Sequence, residues 1–173
     1  MNVKDYIRTI PDFPKPGILF RDVTTVMQDA DGFKLAVDEM QKLVEGVEFD
    51  AFVGIESRGL MFGTPLADNM GKPFVPIRKK GKLPYKTVEK QYALEYGTAT
   101  IEMHTDALKP GDRVVIVDDL IATGGSAKAA AELIESVGAK VVKMIFLIEL
   151  PALGGRAVLC DYDVGSVVEF EGE

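Results

Sequence analysis

Residues 113–127, R-V-V-I-V-D-D-L-I-A-T-G-G-S-A, limit more than any other stretch what this chain can fold into. Val114 to Val117 are four consecutive branched apolar residues. The run is too short for a helix and unbroken by polar residues, which suits a parallel strand buried on both faces. Two carboxylates, Asp118 and Asp119, end it, and Thr123-Gly124-Gly125-Ser126 follow. Ala127 to Val137 then read as a helix rich in Ala, Glu, Lys and Leu, closed by Gly138. In an open α/β sheet, ligands bind at the carboxyl ends of the strands. Small residues there let backbone N–H groups gather around a phosphate at a helix N-terminus. The acids behind them are placed to accept hydrogen bonds from sugar hydroxyls. Strand, acid pair, small-residue loop and helix together predict a sugar-phosphate site. An acid pair after a strand also serves as a metal site in P-loop NTPases, but the chain has no G-x-x-x-x-G-K-[ST] and no G-x-G-x-x-G.

Around this stretch the chain reads as several strands alternating with helices. Val3 to Ile10 read as two helical turns, with Val3, Tyr6, Ile7 and Ile10 on one face, stopped by Pro11, Pro14 and Pro16. Ile18-Leu19-Phe20-Arg21-Asp22 follow as an apolar segment in a proline-anchored loop. In that segment Phe20 offers a flat face and Leu19 a backbone edge, the two things a purine-sized ring requires. A helix is expected over 31–45, capped by Asp31, and a buried strand over Ala51–Ile55. Glu56-Ser57-Arg58-Gly59 leads from that strand into a helical run, Leu60 to Met70, which Pro65 should start, bend or interrupt. Arg58 carries a fork that matches phosphate oxygens. A third strand is expected over 73–77.

From Arg78 to Gln91 the sequence is basic and lacks apolar periodicity, which predicts a long mobile loop able to close over a pyrophosphate. Tyr92 to Gly97 and Thr98 to His104 read as paired strands, and in the second Ala99, Ile101 and Met103 alternate with Thr98, Thr100 and Glu102. Glu95, between two tyrosines, is a candidate for accepting from an amine or sharing a ring proton. Lys140 to Ile148 is another buried strand, 152–159 a short helix, and Val164 to Phe170 an edge strand. The fold class is therefore α/β: one domain over 1–173, with a mainly parallel central sheet and flanking helices. Residues 1–30 or so are expected to form a small N-terminal hood and base-binding segment, and about 78–91 the mobile loop.

Charge sharpens the ligand class. The chain is acidic, at net −7, which argues against nucleic acid as a partner. Within it Arg78, Lys79, Lys80, Lys82, Lys86 and Lys90 cluster, pointing to a small anion. One cysteine and one histidine exclude an internal disulfide and a Cys/His metal cluster. Without a signal-peptide core or an apolar stretch of bilayer length, a cytoplasmic protein with no membrane partner is expected.

The motifs P-D-F-P-K-P-G-I-L-F-R-D, E-S-R-G-L-M-F-G, I-R-K-K-G-K-L-P, Y-A-L-E-Y-G and V-V-I-V-D-D-L-I-A-T-G-G-S cover nearly the whole chain. Together they resemble the adenine phosphoribosyltransferases, a branch of the type I phosphoribosyltransferase family. Ser126 departs from the Thr common there and keeps the hydroxyl. The resemblance implies the type I phosphoribosyltransferase fold and the Mg²⁺-dependent conversion of adenine and phosphoribosyl pyrophosphate to AMP and pyrophosphate, a step of purine salvage. It implies that Ala122, Thr123, Gly124, Gly125 and Ser126 hold the 5′-phosphate and Asp118 and Asp119 the ribose hydroxyls. Arg58, Arg78, Lys79 and Lys82 would receive pyrophosphate, while Leu19 and Phe20 hold adenine, with Arg21 ordering their loop. Glu95 would be the catalytic acid/base, and Mg²⁺ would rest mainly on substrate phosphates and water, not on the protein. It also implies a homodimer. Two other readings stay open: a 6-oxopurine (hypoxanthine or xanthine) phosphoribosyltransferase, and a non-catalytic phosphoribosyl pyrophosphate-sensing module.

Overall fold

The computed structural model describes residues 1–94 and 96–172. In chain order its strands and α-helices begin with β1 (Arg8–Pro11), β2 (Leu19–Asp22), α1 (Thr24–Met27), α2 (Ala30–Lys42), β3 (Ala51–Ile55), α3 (Arg58–Met70) and β4 (Phe74–Lys79). Then come β5 (Thr87–Ala93), β6 (Thr98–His104), β7 (Arg113–Ile121), α4 (Gly125–Ser136), β8 (Lys140–Glu149), α5 (Gly155–Val158) and β9 (Val164–Glu169). Among the described residues, seven strands form the main sheet in the order β5-β6-β4-β3-β7-β8-β9. From β4 to β9 the neighbours run parallel; β6 and β5 add an antiparallel arm at one side. The central strands β3 and β7 are among those the sequence marks as buried, and all five residues of β3 are buried.

Period-two alternation divides the core between the sheet's faces. Ala51, Val53, Ile55, Val114 and Ile116 pack with the Ala-rich side of α4. Phe52, Val115 and Val117 pack with Val37 and Met40 of α2 and Phe62 and Leu66 of α3. Gly54 and Gly63 let α3 approach β3, because a Cβ at either would come within 2.5 Å of the Phe74 ring that fills the gap. Pro65 does not interrupt α3, which runs through it to Met70 and ends at left-handed Gly71.

Several local expectations need correction; among them, the strand expected from Tyr92 ends at Ala93, and in place of one helix over 152–159 there is a 3-10 turn, Pro151–Leu153, followed by α5. Val3 to Ile10 do not make two helical turns; Val3–Tyr6 form a 3-10 turn and the chain then enters β1. A helix that short is marginal without tertiary support. Antiparallel pairing with β2, Ile10 opposite Phe20, satisfies the backbone instead. The cap of α2 is Asp29, whose carboxylate accepts from the Gly32 N–H at 2.9 Å, not Asp31. The segment 78–91 is not one loop: β4 reaches Lys79 and β5 begins at Thr87. Val88 and Tyr92 pack on the core, and Lys90 pairs with Glu132 of α4 at 3.0 Å, so a charge interrupts the apolar alternation that would have marked the strand. β7 also does not stop at the acid pair but carries Asp118 and Asp119 within it to Ile121.

Candidate active site

A cavity of about 770 Å³ opens at the carboxyl ends of the parallel strands, within the range of a small-molecule site. Asp118 and Asp119 of β7 stand at its base, 9% and 6% exposed. Asp119 accepts from Arg58 Nε at 2.5 Å, and Asp118 Oδ1 accepts from the Asp119 backbone N–H at 2.8 Å. Burial, and then the charge of Asp119 next to it, push the Asp118 carboxyl well above the usual carboxylate range. Burial weakens the Arg58 charge, but Asp119, then Asp118, more than restore it, so the guanidinium stays protonated.

Beyond the acids, Ala122, Thr123, Gly124 and Ser126 line the cavity where α4 begins. Gly124 is left-handed at φ +84°, and a Cβ there would stand 3.0 Å from the Gly155 carbonyl; conformation and space both demand glycine. Gly155 supports the loop from the other side, since its own Cβ would meet the Ala122 carbonyl at 2.6 Å. The start of α4 has no side-chain cap, which leaves its first N–H groups suited to an anion. Gly125, expected in the same role, is the first residue of α4 and does not line the cavity.

Arg58 begins α3, and Gly59 allows it to reach β7, because a Cβ at 59 would fall 2.7 Å from the Val117 carbonyl. Across the cavity Leu19, Phe20 and Arg21 of β2 form the other wall. The Phe13 ring packs edge-on against Phe20, with centroids 5.1 Å apart. Arg21 donates to the Thr9 hydroxyl at 2.6 Å and lies 4.3 Å over the Phe170 ring, tying the hood to the far end of the chain. Its Nε is buried without a hydrogen-bond partner.

The remaining predicted residues are not gathered with these. Arg78, Lys79 and Lys82 stand outside the cavity lining. Glu56 accepts from Arg78 Nη2 at 3.0 Å and from the Lys79 N–H at 2.8 Å. Burial opposes its charge, but the Lys79 N–H and then Arg78 draw the Glu56 carboxyl below its ordinary range. Glu95 lies outside the described residues. Sequence reasoning missed Lys15, Phe146, Leu150 and Leu153, which also line the cavity. Phe146 was hidden in an apolar strand, whereas L-P-A-L after β8 had a legible signal in its place at the same sheet edge.

A family model described as "Phosphoribosyl transferase domain" matches residues 30–172. The chain is similar to the adenine phosphoribosyltransferase of Agathobacter rectalis, 64% identical over 171 residues that cover 99% of this chain and 98% of that protein. Among solved structures, it is similar to the adenine phosphoribosyltransferase of Thermoanaerobacter pseudethanolicus at a TM-score of 0.94 and 50% identity, covering 97% of this chain and 98% of the other. It is also similar to that of Saccharomyces cerevisiae, complexed with an imino-altritol bisphosphate and adenine, at a TM-score of 0.90 and 39% identity, covering 96% of each.

Proposed function

The chain belongs to the phosphoribosyl transferase family, within it to the adenine phosphoribosyltransferases, and from this premise we propose how its pocket works. The reaction moves the 5-phosphoribosyl group of phosphoribosyl pyrophosphate onto adenine, giving AMP and pyrophosphate, the chemistry of purine salvage. The observation that carries the assignment of roles is the single cavity enclosed by the acid pair, the loop at the start of α4, Arg58 and the hood.

The backbone N–H groups of 122–126 hold the 5′-phosphate, and Asp118 and Asp119 accept from the ribose hydroxyls. Adenine lies between Phe20 and the apolar wall, with the β2 backbone at Leu19 reading its edge. As the C1–pyrophosphate bond lengthens, positive charge builds on the ribose, and the buried carboxylates stabilise it by charge and position, without a covalent nucleophile. N9 of adenine, bound as its N7–H tautomer, then bonds to C1 as the C1–pyrophosphate bond breaks, and Glu95 takes the proton from N7. Arg58, Arg78, Lys79 and Lys82 receive the departing pyrophosphate, the last three from the end of β4 and the turn that follows it. Among the described residues no three His, Cys, Asp or Glu side chains are grouped to hold a metal. A Mg²⁺ ion brought by the substrate would rest mainly on substrate phosphates and water and would supply charge to neutralise the leaving group. Exposed Met61, in the first turn of α3, fits an interface with a second copy around the Arg58 segment, and light scattering should read a dimer mass. No helix of the described residues is long and apolar enough to cross a membrane.

Two variants test the roles. Phe20→Ala should raise KM for adenine about tenfold and leave KM for phosphoribosyl pyrophosphate unchanged. Glu95→Gln should lower kcat about a hundredfold with both KM values held. A Glu95→Gln enzyme with full kcat would remove Glu95 from the chemistry, and an unchanged KM for adenine in Phe20→Ala would move the base out of the hood.

A further inference from the structure

Glu102 sits on β6 directly across from Arg78 in the β4–β6 pairing, and at 4% exposure it is one of the most buried carboxylates in the protein. An isolated buried carboxylate is costly, so what it binds tells what it is for. Its Oε1 accepts from the Gly81 N–H at 3.1 Å and from the Leu83 N–H at 3.0 Å. These donors belong to the tight turn between β4 and β5, closed by the Lys82 N–H to Lys79 carbonyl bond at 3.2 Å, with Gly81 left-handed at φ +86°. Burial works against the charge, but the N–H groups of Leu83 and Gly81, the Thr87 hydroxyl and the Lys82 N–H keep the carboxyl ionised, below its ordinary range. Glu56 holds the start of the same turn, through Arg78 and the Lys79 N–H, and it lies two residues before Arg58, which faces the cavity. The turn itself contributes little to the core, since Lys79, Lys80, Gly81 and Lys82 are all exposed.

We propose that Glu102 is a positioning residue for pyrophosphate: it anchors the turn 79–83 from below and so sets where Arg78, Lys79 and Lys82 present their charges. The inference rests on the phosphoribosyltransferase reading of the site. With its N–H groups drawn down onto a carboxylate, the turn offers pyrophosphate its side-chain cations and not its backbone, and it keeps one shape as ligand arrives and leaves.

The test uses the full chain with Mg²⁺ and two variants, Glu102→Ala and Glu102→Gln. Calorimetry reads Kd for inorganic pyrophosphate and for AMP, steady-state kinetics the two KM values, and thermal melting the fold. Glu102→Ala should raise Kd for pyrophosphate and KM for phosphoribosyl pyrophosphate about tenfold, leaving AMP affinity and KM for adenine within about twofold. Glu102→Gln keeps one acceptor oxygen and should recover part of that loss, and it carries the same comparison if the alanine variant does not fold. Unchanged pyrophosphate affinity overturns the proposal. So does an equal rise in all four constants with a lowered Tm, which is what a merely structural residue would give. A wild-type chain that binds pyrophosphate but makes no AMP from adenine would overturn the parent reading, while the pyrophosphate comparison would still decide the role of Glu102.

Discussion

Asp118 and Asp119 are neighbours with opposite circumstances. Asp119 is matched by Arg58, while Asp118 is buried beside a like charge. A carboxyl whose folded-state pKa is raised binds its proton more tightly in the fold than in the unfolded chain. Its contribution to stability is therefore present at low pH and is lost as pH rises through the folded value. Above that value the ligand-free protein bears that loss in order to keep an ionised acceptor ready for sugar. Asp118→Asn keeps an oxygen for the Asp119 N–H and removes the charge; it should raise Tm by about 3 °C in a melt without ligand. The same variant should lower kcat/KM for phosphoribosyl pyrophosphate about a hundredfold, and a lowered Tm would show that the pair stabilises the fold. The acids and Arg58 were each legible as chemistry-bearing residues. Their union was not, because it depends on β3 and β7 lying side by side. The anchoring role of Glu102 was not legible, since alternation tells which face a side chain takes but not whether a turn covers that face.

At the scale of elements, the parallel strands could be read because burial on both faces forces unbroken apolar runs. The β1–β2 hairpin and β5 could not, because they are partly exposed and held by charge pairs that apolar patterning does not show. The hood hangs on such contacts. Asp22 accepts from Arg8 at 2.6 Å and from the Thr24 hydroxyl and N–H, and these bonds, Thr24 foremost and against the effect of burial, hold its pKa at about 2. A depressed carboxyl stabilises the fold above its unfolded value and loses that effect as pH falls through its folded one. Asp22→Asn should cost about 2 kcal/mol at pH 7 by urea unfolding. The gap from wild type should shrink as pH falls from about 4 toward 2; a gap independent of pH would mean that shape, not charge, holds the hood. Beneath the phosphate loop, Gly155→Ala forces a Cβ against the Ala122 carbonyl. That should cost about 2 kcal/mol of stability and raise KM for phosphoribosyl pyrophosphate more than KM for adenine. Equal effects on both substrates would indicate that α5 does not shape the loop.

At the scale of the whole molecule, the sheet gathers the β7 end, the start of α3 and the hood at one edge. The β7 end and its loop supply acids and N–H groups, α3 supplies Arg58, and the hood supplies the aromatic wall from near the N-terminus. The turn between β4 and β5 stands beside them on its two carboxylate anchors. A hood with an apolar face and a backbone edge suits a 6-aminopurine, and the acid pair with its phosphate loop suits a ribose 5-phosphate. The most direct test is a steady-state assay with phosphoribosyl pyrophosphate and Mg²⁺ that offers adenine, hypoxanthine, guanine, xanthine and uracil in parallel and follows nucleotide formation. Conversion of adenine alone, with release of pyrophosphate, is the predicted result. Turnover of a 6-oxopurine in place of adenine would contradict the reading of the hood, and tight phosphoribosyl pyrophosphate binding with no turnover of any base would contradict catalysis itself.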